Sequence, residues 1–494
     1  MARKISRSWS PIEDLPADWR SIADPSVKAL VDAWLGQAED LRQTASYDAF
    51  LARMRREWAI ETGAIERLYR ISEGATKTLI EQGLDAALLL HEDVDRSPDE
   101  VIRIIQDQHD AIAGLYQFVS GDRDLSKSYI RELHQVLTAH QPKYWAIDSL
   151  GNHVERDLPR GAWKTRPNNV GDASEGYHFE FCPPEQVDSE IERLLQLHRE
   201  HEQIGVPPGL EAAWIQHRFT LIHPFTDGNG RVARCLATLV LLKARWFPLV
   251  VTRREGGYIE AIREADRGAL KPLVELVGAL QKRAVLQAFS LSDELPAADK
   301  GIGSILGAVR ASMERDWPGE LAVRERASAL GDAVRDASFA RLNELAAEVN
   351  VTINGHGEGF RSFARSVDEE ESKDGFYSDI FTINVFQAVG YHPKFRAYRA
   401  CARLVIDTDI RTEIAFPIHK VGGKANAVLG VLAMIYNVVP LGDRSEPIRV
   451  RTLTDLPFLF TSEESSTSVL DRFRPWLEKR LILGLDTWRK QIGA

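Results

Sequence analysis

The run His223-Pro224-Phe225-Thr226-Asp227-Gly228-Asn229-Gly230-Arg231-Val232-Ala233-Arg234 places an imidazole, a carboxylate, two glycines, an amide and two guanidinium groups side by side. Gly228 and Gly230 stand just ahead of an apolar, helix-spaced run that includes Val232, Leu236, Leu239 and Val240. The first N–H groups of a helix have no internal partner and the dipole is positive there, so a start lined by glycine can receive an anion. Arg231 and Arg234, three apart, share one face near that end. Their planar forks suit phosphate oxygens, and two arginines with an asparagine suit several phosphates better than one. Asp227 gains a use if those phosphates carry a hard divalent cation, because Mg2+ is typically held by one or two carboxylates together with phosphate oxygens. His223, in the loop entering the helix, can take a proton from an incoming hydroxyl while its imidazole is neutral. The set describes nucleotidyl or phosphoryl transfer to a hydroxyl. Taken singly, each part has an ordinary reading. A histidine before Pro-Phe is commonly structural, Gly-Asn-Gly is commonly a turn, and an arginine pair three apart commonly lies on a solvated face. Their coincidence at one helix start argues for chemistry. Phe225 reads as the anchor of the loop in the core.

Several elements must position this run. Helical spacing is evident over Asp24 to Gln43, Ser97 to Val119 and Ser126 to Thr138, the last with Ser126 as N-cap and Ile130, Leu133 and Leu137 on one face. Two more helices, Glu185 to Glu202 and Leu210 to Ile222, lead into the motif, and one from about Gly230 to Trp246 leaves it. Between Gly161 and Pro183, two short alternating segments flank Asp172 to Glu175 and predict a β-hairpin. Beyond Ser304 a long helix bearing Leu330, Val334, Leu342, Leu345 and Val349 precedes five strand candidates, "DIFTINVFQAV", "YRACARLVIDT", "TEIAFPIHKV", "GVLAMIYNVV" and "PIRVRTLTDL", and a last helix over about Ser466 to Gln491. The predicted fold is mainly α, with a C-terminal α+β domain built on an antiparallel sheet. The predicted boundaries are a helical segment over 1–95, a catalytic core over 96–290, a linker over 291–304 and the C-terminal domain over 305–494. "SVDEEESKDG" and the glycine-rich "NGHGEG" read as loops.

The chain has 494 residues, which calls for more than one domain. Its formal net charge of -10 speaks against general binding of nucleic acid. Cys182, Cys235 and Cys401 are odd in number, far apart and without metal-ligand spacing, so they read as free thiols of a reducing compartment. The longest apolar runs, such as Leu236 to Leu242, are too short to cross a bilayer, and the expected location is cytoplasmic, with no membrane partner. A homo-oligomer is compatible with the sequence. His356, His392 and His419 lack metal-ligand spacing and read as structural.

From His223 to Arg234 the sequence resembles the Fic-domain family, whose motif reads His-Pro-Phe-x-(Asp/Glu)-Gly-Asn-Gly-Arg-x-x-Arg; every specified position is met. "LSKSYIRELHQVL" and "YIEAIREADRGALKPLVELV" are similar to the family's flanking segments, which extends the likeness to roughly residues 50–290. The resemblance implies an all-helical core with a β-hairpin flap. It implies transfer of AMP from Mg2+-bound ATP to a Ser, Thr or Tyr hydroxyl of a protein target, which can be the chain itself. His223 is then the general base and Asp227 the Mg2+ ligand. Asn229 with the backbone of Gly228 and Gly230 holds the α and β phosphates, while Arg231 reaches the β and Arg234 the γ phosphate. The hairpin corresponds to the flap that docks the target as an added strand, with Trp163 to Val170 as the candidate strand and Trp163, Lys164, Thr165 and Val170 as docking residues. Tyr258 is an adenine-pocket candidate, with packing as its alternative. Doc-type kinases of the family carry lysine where this chain has Gly230, so the glycine favours AMP transfer; phosphocholine transfer is also compatible with the motif.

Many Fic proteins carry an inhibitory helix reading (Ser/Thr)-x-x-x-Glu-(Gly/Asn). "IETGAIERLYR" offers Thr62 and Glu66, four apart on one helical face, within a candidate inhibitory helix near 58–70. On that pattern Glu66 pairs with Arg234 and Thr62 supports the helix, while Arg67 departs from the expected Gly or Asn. Two other functions share these features: removal of AMP by the same pocket, and a nucleotide-sensing regulator.

Overall fold

The computed structural model describes residues 6–41, 44–147, 153–172, 177–253, 255–291, 317–353, 357, 359–367, 394–421, 427–441 and 444–492. The predicted linker after residue 291, the strand candidate over 379–389, the loop over 368–375, His356 and His392 lie outside the described residues. In chain order the helices are α1 (Trp19–Ile22), α2 (Pro25–Leu41), α3 (Ala45–Ile65), α4 (Glu73–Gln82), α5 (Pro98–Ser120), α6 (Lys127–Leu137), α7 (Val187–Ile204), α8 (Pro208–Ile222), α9 (Asn229–Lys243), α10 (Tyr258–Asp266), α11 (Lys271–Ser290), α12 (Trp317–Ile353) and α13 (Ser466–Gln491). The strands are β1 (Ser6–Arg7), β2 (Lys143–Ile147), β3 (His153–Asp157), β4 (Val170–Asp172), β5 (Tyr177–Phe179), β6 (Arg361–Val367), β7 (Lys394–Asp407), β8 (Arg411–Val421), β9 (Val428–Val431), β10 (Met434–Leu441), β11 (Arg444–Thr452) and β12 (Phe458–Thr461). The chain divides into two compact units, one of Met1–Asp24 with Asp48–Gln281 and one of Pro25–Tyr47 with Lys282–Ala494.

In the first unit α8 and α9 are the inner helices. Trp214, Ile215, Phe219 and Ile222 of α8 and Val232, Leu236, Leu239 and Leu241 of α9 are buried, and a helix that is apolar nearly all round belongs inside a core. The surrounding helices are amphipathic and conventionally capped. Ser97 accepts the Glu100 N–H ahead of α5, with Pro98 in its first turn, and Ser126 accepts the Tyr129 N–H ahead of α6. Helix α7 ends at Gly205 in the left-handed region, and Pro207 and Pro208 open α8. A short sheet of order β1-β5-β4 carries the predicted hairpin, and a second hairpin, β2–β3, follows α6.

The second unit is built on an antiparallel sheet ordered β11-β10-β8-β7-β6, with β9 pairing both β8 and β12. Period-two alternation sends Ala400, Ala402, Leu404 and Ile406 of β7 and Ile414, Phe416 and Ile418 of β8 to one face. There they meet Val334, Leu342, Leu345 and Val349 of α12 and Val469, Phe473, Leu477 and Leu481 of α13. Cys401, Ala415, Leu432, Met434 and Tyr436 form a smaller cluster. Pro417 sits inside β8 without breaking it. Strand β10 pairs with β8 as far as Ala415 and β9 pairs from Ile418 onward, so Pro417 stands at the changeover. That changeover also splits the single predicted strand over Gly430 to Val439 into β9 and β10. Truncating Phe416, which is fully buried between sheet and helices, to alanine is expected to destabilise this unit by about 3–5 kcal/mol, read as a lower urea midpoint at unchanged m-value.

Candidate active site

Pro224 cannot donate to a helix and crowds the α conformation of the residue before it, so α8 stops at His223. His223 itself adopts φ 51°, ψ 55°, and its N–H donates to the Phe219 carbonyl. Its Nδ1 lies 3.1 Å from the Thr220 carbonyl. A carbonyl only accepts, so Nδ1 carries the proton and Nε2 is left as the base. The half-buried ring is stacked on Phe181 at 3.9 Å between centroids. Burial pushes the His223 imidazole down to about 4, against a smaller opposing effect of the Thr220 carbonyl, which keeps it neutral near pH 7.

Five residues, 224–228, then lead to α9. Gly228 takes φ 82° as its N-cap, a conformation that suits glycine, and a Cβ there would also crowd the Arg231 guanidinium and the His134 ring. Asn229 is buried, with Oδ1 accepting the Phe225 N–H at 2.8 Å and Nδ2 donating to the Phe225 carbonyl at 2.7 Å. One acceptor site and one of the two N–H groups of this amide thus close the loop on Phe225, and the second N–H remains. Arg231 is likewise buried, donating to the Leu137 carbonyl at 3.0 Å and to Gln141 Oε1 at 2.6 Å. These two bonds brace the loop against α6, and the guanidinium keeps further donors, Nε among them without a partner. Gln141 also donates to Asp227 Oδ2 at 2.6 Å, while Gly228 N–H donates to Oδ1. His134 accepts the Gly161 N–H on Nδ1, so its Nε2–H faces the Asp227 carbonyl at 3.0 Å. Its ring lies flat on Phe225, and burial lowers it to about 4. Sequence reasoning missed both residues. His134 had a signal, a histidine among the apolar positions of α6; Gln141 had none.

Arg234 points the other way, toward α3. Its Nη2 donates to Glu66 Oε1 at 2.7 Å and to the Thr62 carbonyl at 3.3 Å, and Nη1 lies 3.5 Å from the Tyr258 hydroxyl. Although burial opposes the charge, Glu66 and Tyr258 raise the Arg234 guanidinium above its ordinary value. Thr62 contributes its main chain. Tyr258 is fixed by Gln216 at 2.6 Å, which places its hydroxyl on the arginine. The Glu66 carboxylate lies directly over Gly230, since a Cβ built on that glycine would run into Glu66 Oε1. One carboxylate thus meets both the second motif arginine and the amino end of α9.

The turn that delivers Glu66 is a Schellman motif. Leu68 N–H bonds to the Gly63 carbonyl and Arg67 N–H to the Ala64 carbonyl. Glu66 is the last residue in the helical sense and Arg67 follows at φ 56°. Gly or Asn is favoured there for that reason. Gly63 leaves room for Tyr69, whose hydroxyl folds back to donate to the Ile60 carbonyl. Arg253 clamps the same region through Glu61 and the Ile71 carbonyl.

The flap hairpin pairs Val170 with Phe179 and Asp172 with Tyr177. The expected strand over Trp163 to Val170 begins only at Val170, because the residues before it are tied to the motif loop. Lys164 N–H donates to the Pro224 carbonyl, and its buried amine donates to Asn168 Oδ1 and lies 3.4 Å from the Ile222 carbonyl. Burial lowers that amine to about 8. Asn168 in turn donates to the Phe225 carbonyl at 2.8 Å, and Trp163 packs on the Phe225 ring. Thr165 and Val170 are exposed. On the other side of the hairpin, β1 pairs with β5 in parallel, so β4 bears the hairpin's outer edge.

A cation fits at Asp227 only as one shared with a ligand. Its carboxylate is 38% exposed, and each oxygen accepts one hydrogen bond and keeps capacity for more. Among the described residues no group of three or more His, Cys, Asp or Glu could hold a metal, so phosphate oxygens would supply the remaining ligands.

Residues 124–241, which hold the site, match the family model described as Fic/DOC family. The chain is 27% identical over 270 residues to the protein adenylyltransferase fic-1 of Caenorhabditis briggsae, covering 52% of this chain and 47% of that protein. It is 38% identical over 89 residues to a Fido domain-containing protein of Dictyostelium discoideum, covering 18% and 62% respectively. A solved Fic domain containing signaling protein from Bacteroides thetaiotaomicron matches with TM-score 0.44 and 21% identity, over 56% of this chain and all of that one. The chain spans about half the length of the Caenorhabditis relative it matches.

Arg67→Gly should stabilise the α3 end by about 1 kcal/mol, the strain of a left-handed non-glycine residue, provided the Schellman bonds persist. Thermal unfolding of the full chain and slower amide exchange at Leu68 would read it; an unchanged or faster exchange would contradict it.

Proposed function

We propose that the chain transfers AMP from ATP to a hydroxyl of a protein target and that Glu66 holds this activity down. The observation that carries the reading is the carboxylate of Glu66 on both Arg234 and the amino end of α9. A site that draws an internal anion to this place is built for an external one. With Glu66 withdrawn, Arg234 and the free amides of α9 can receive the phosphates. His223 Nε2 takes the proton as a serine, threonine or tyrosine oxygen bonds to the α phosphorus, and the bond to pyrophosphate breaks. Magnesium bound by Asp227 and phosphate oxygens would offset the charge on the leaving group. Gln141, by holding Asp227, and Lys164 and Asn168, by holding the loop, act as positioning residues. The exposed edge at Val170 is suited to an incoming target strand. A cytoplasmic setting belongs to the proposal: the three cysteines are buried and free, and among the described residues no helix is long and apolar enough to cross a membrane.

The test is intact-mass analysis after incubation with ATP and Mg2+. Glu66→Gly should gain AMP at least about tenfold faster than the unaltered chain, a shift of about 1.4 kcal/mol, and Glu66→Gly with His223→Ala should gain none. Loss of AMP from a pre-modified target, without any gain, would instead favour the reverse reaction. No gain of mass with any nucleoside triphosphate would remove the transferase reading.

The low value of His223 sets the pH response. A base works only when deprotonated, and a folded-state value near 4 lies below the ordinary 6.5. The labelling rate of Glu66→Gly should therefore stay level as pH falls through 6.5 and decline only toward about pH 4–5. Removing Glu66 withdraws a charge that favours protonation, so it cannot raise the limb. An acid limb near pH 6.5 would show the imidazole to be solvated.

A further inference from the structure

Residues 8–18, between β1 and α1, form neither helix nor strand, and among residues 7–24 only Ile12 has a buried side chain. This amino-terminal arm adds little apolar surface to the first unit, yet α7 and α8 turn four buried polar groups toward it. Glu190 and His201 stand about three turns apart on α7, and Trp214 and Arg218 about one turn apart on α8. None of the four is more than 7% exposed. Glu190 Oε2 accepts the Ile12 N–H at 2.8 Å. Trp214 Nε1 and Arg218 Nε both donate to the Glu13 carbonyl, at 3.2 and 2.9 Å. His201 Nε2 meets Asp14 Oδ1 at 2.7 Å.

Three successive residues are thus captured at an N–H, a carbonyl and a carboxylate, beside one apolar anchor. Folded proteins bind extended peptides in this manner, with main-chain bonds for affinity and side-chain contacts for selectivity. The selective contact is ionic. His201 Nδ1 lies 2.7 Å from Glu211 Oε2, and a ring with a carboxylate on each nitrogen donates from both, as the imidazolium. Burial opposes that charge, yet Glu211 and Asp14 raise the His201 imidazole above its ordinary value. Upstream the arm becomes β1: Arg7 pairs with Phe179, and its carbonyl accepts the Glu180 N–H at 2.9 Å. The next residue along the flap, Phe181, carries the ring stacked on His223.

We propose that this face of α7 and α8 is a receptor for an extended peptide in which an apolar residue is followed two places on by a carboxylate. The arm is its removable ligand, and seating of the arm holds β1 on the flap strand β5. The proposal is independent of the transferase reading, because neither the receptor residues nor β1 has a part in that reaction.

The probe is a fluorescein-labelled peptide of residues 6–17, SRSWSPIEDLPA, followed by anisotropy on the full chain. Ile12→Asp in the chain unseats its own arm, so this variant should bind the peptide at least about tenfold more tightly than the unaltered chain, where the arm competes. A peptide carrying Asp14→Asn should bind the variant at least about tenfold more weakly, and Arg218→Met added to the variant should abolish binding. Amide exchange at Glu180 should quicken in the Ile12→Asp chain and slow again when the peptide is added. No binding by that chain, equal binding of the two peptides, or exchange at Glu180 indifferent to Ile12→Asp would overturn the proposal. Where Ile12→Asp fails to fold, the unaltered chain decides: the Ile12 and Glu180 amides should exchange together and ahead of the buried amides of α8. Exchange of both only with global unfolding would make the arm part of the fold and overturn the proposal.

Discussion

A guanidinium taken out of water has to keep an anion beside it. Arg234 is 2% exposed on the inner helix α9, and breaking a buried pair by removing one partner is strongly destabilising because a bare charge remains. This constraint organises the motif region. In the structure the anion is Glu66, and its carboxylate also lies against Gly230 in the first turn of α9. Under the proposed function a triphosphate would offer the same two groups several oxygens, and the two anions would then compete for one position.

The rest of the motif is largely scaffold. Asn229 bonds through its amide to Phe225, Arg231 donates to Leu137 of α6 and to Gln141, and His134 locks the Asp227 carbonyl. His223 and Asp227 are left partly exposed on this frame, while Arg234 is buried against Glu66. Rigid placement is what a transfer step needs, because a catalytic group displaced by about 1 Å loses much of its effect. The two motif arginines, one residue type three apart, turn to different partners: Arg231 to Leu137 and Gln141, Arg234 to Glu66 and Thr62.

The local part of this arrangement was legible in the sequence. His223 to Arg234 lie within a few turns of chain, and the glycines and the proline announce a helix end followed by a helix start. The helices framing the motif were also readable, because caps such as Ser97 and Ser126 and apolar spacing are local signals. What was not legible depends on distant contact. Gln141 reaches Asp227 from 86 residues away, and no spacing rule predicts that. Trp163 to Thr165 alternate like a strand but are held as a loop by the Pro224 carbonyl and Asn168. Strands β6 and β12, short and next to loop-like sequence, were missed, and β9 and β10 were merged because the changeover at Pro417 is a property of the sheet and not of either strand.

The backbone at Arg67 ties these strands of reasoning together. Arg245 closes α9 with the same pair of bonds, Arg245 to Leu242 and Trp246 to Leu241, at φ 63°. Arginine in the left-handed position is thus tolerated at two helix ends. At Arg67 the same strain falls on the turn that sets the direction of Glu66. Strain that exists only while the turn is formed weighs against the state that needs the turn, and here that is the state in which Glu66 covers Gly230. A glycine or asparagine would lift that strain and make the paired state deeper. The arginine leaves the Glu66–Arg234 contact formed but shallower by roughly the left-handed penalty, about 1 kcal/mol, and under the proposed function this is the scale on which a competing nucleotide would act.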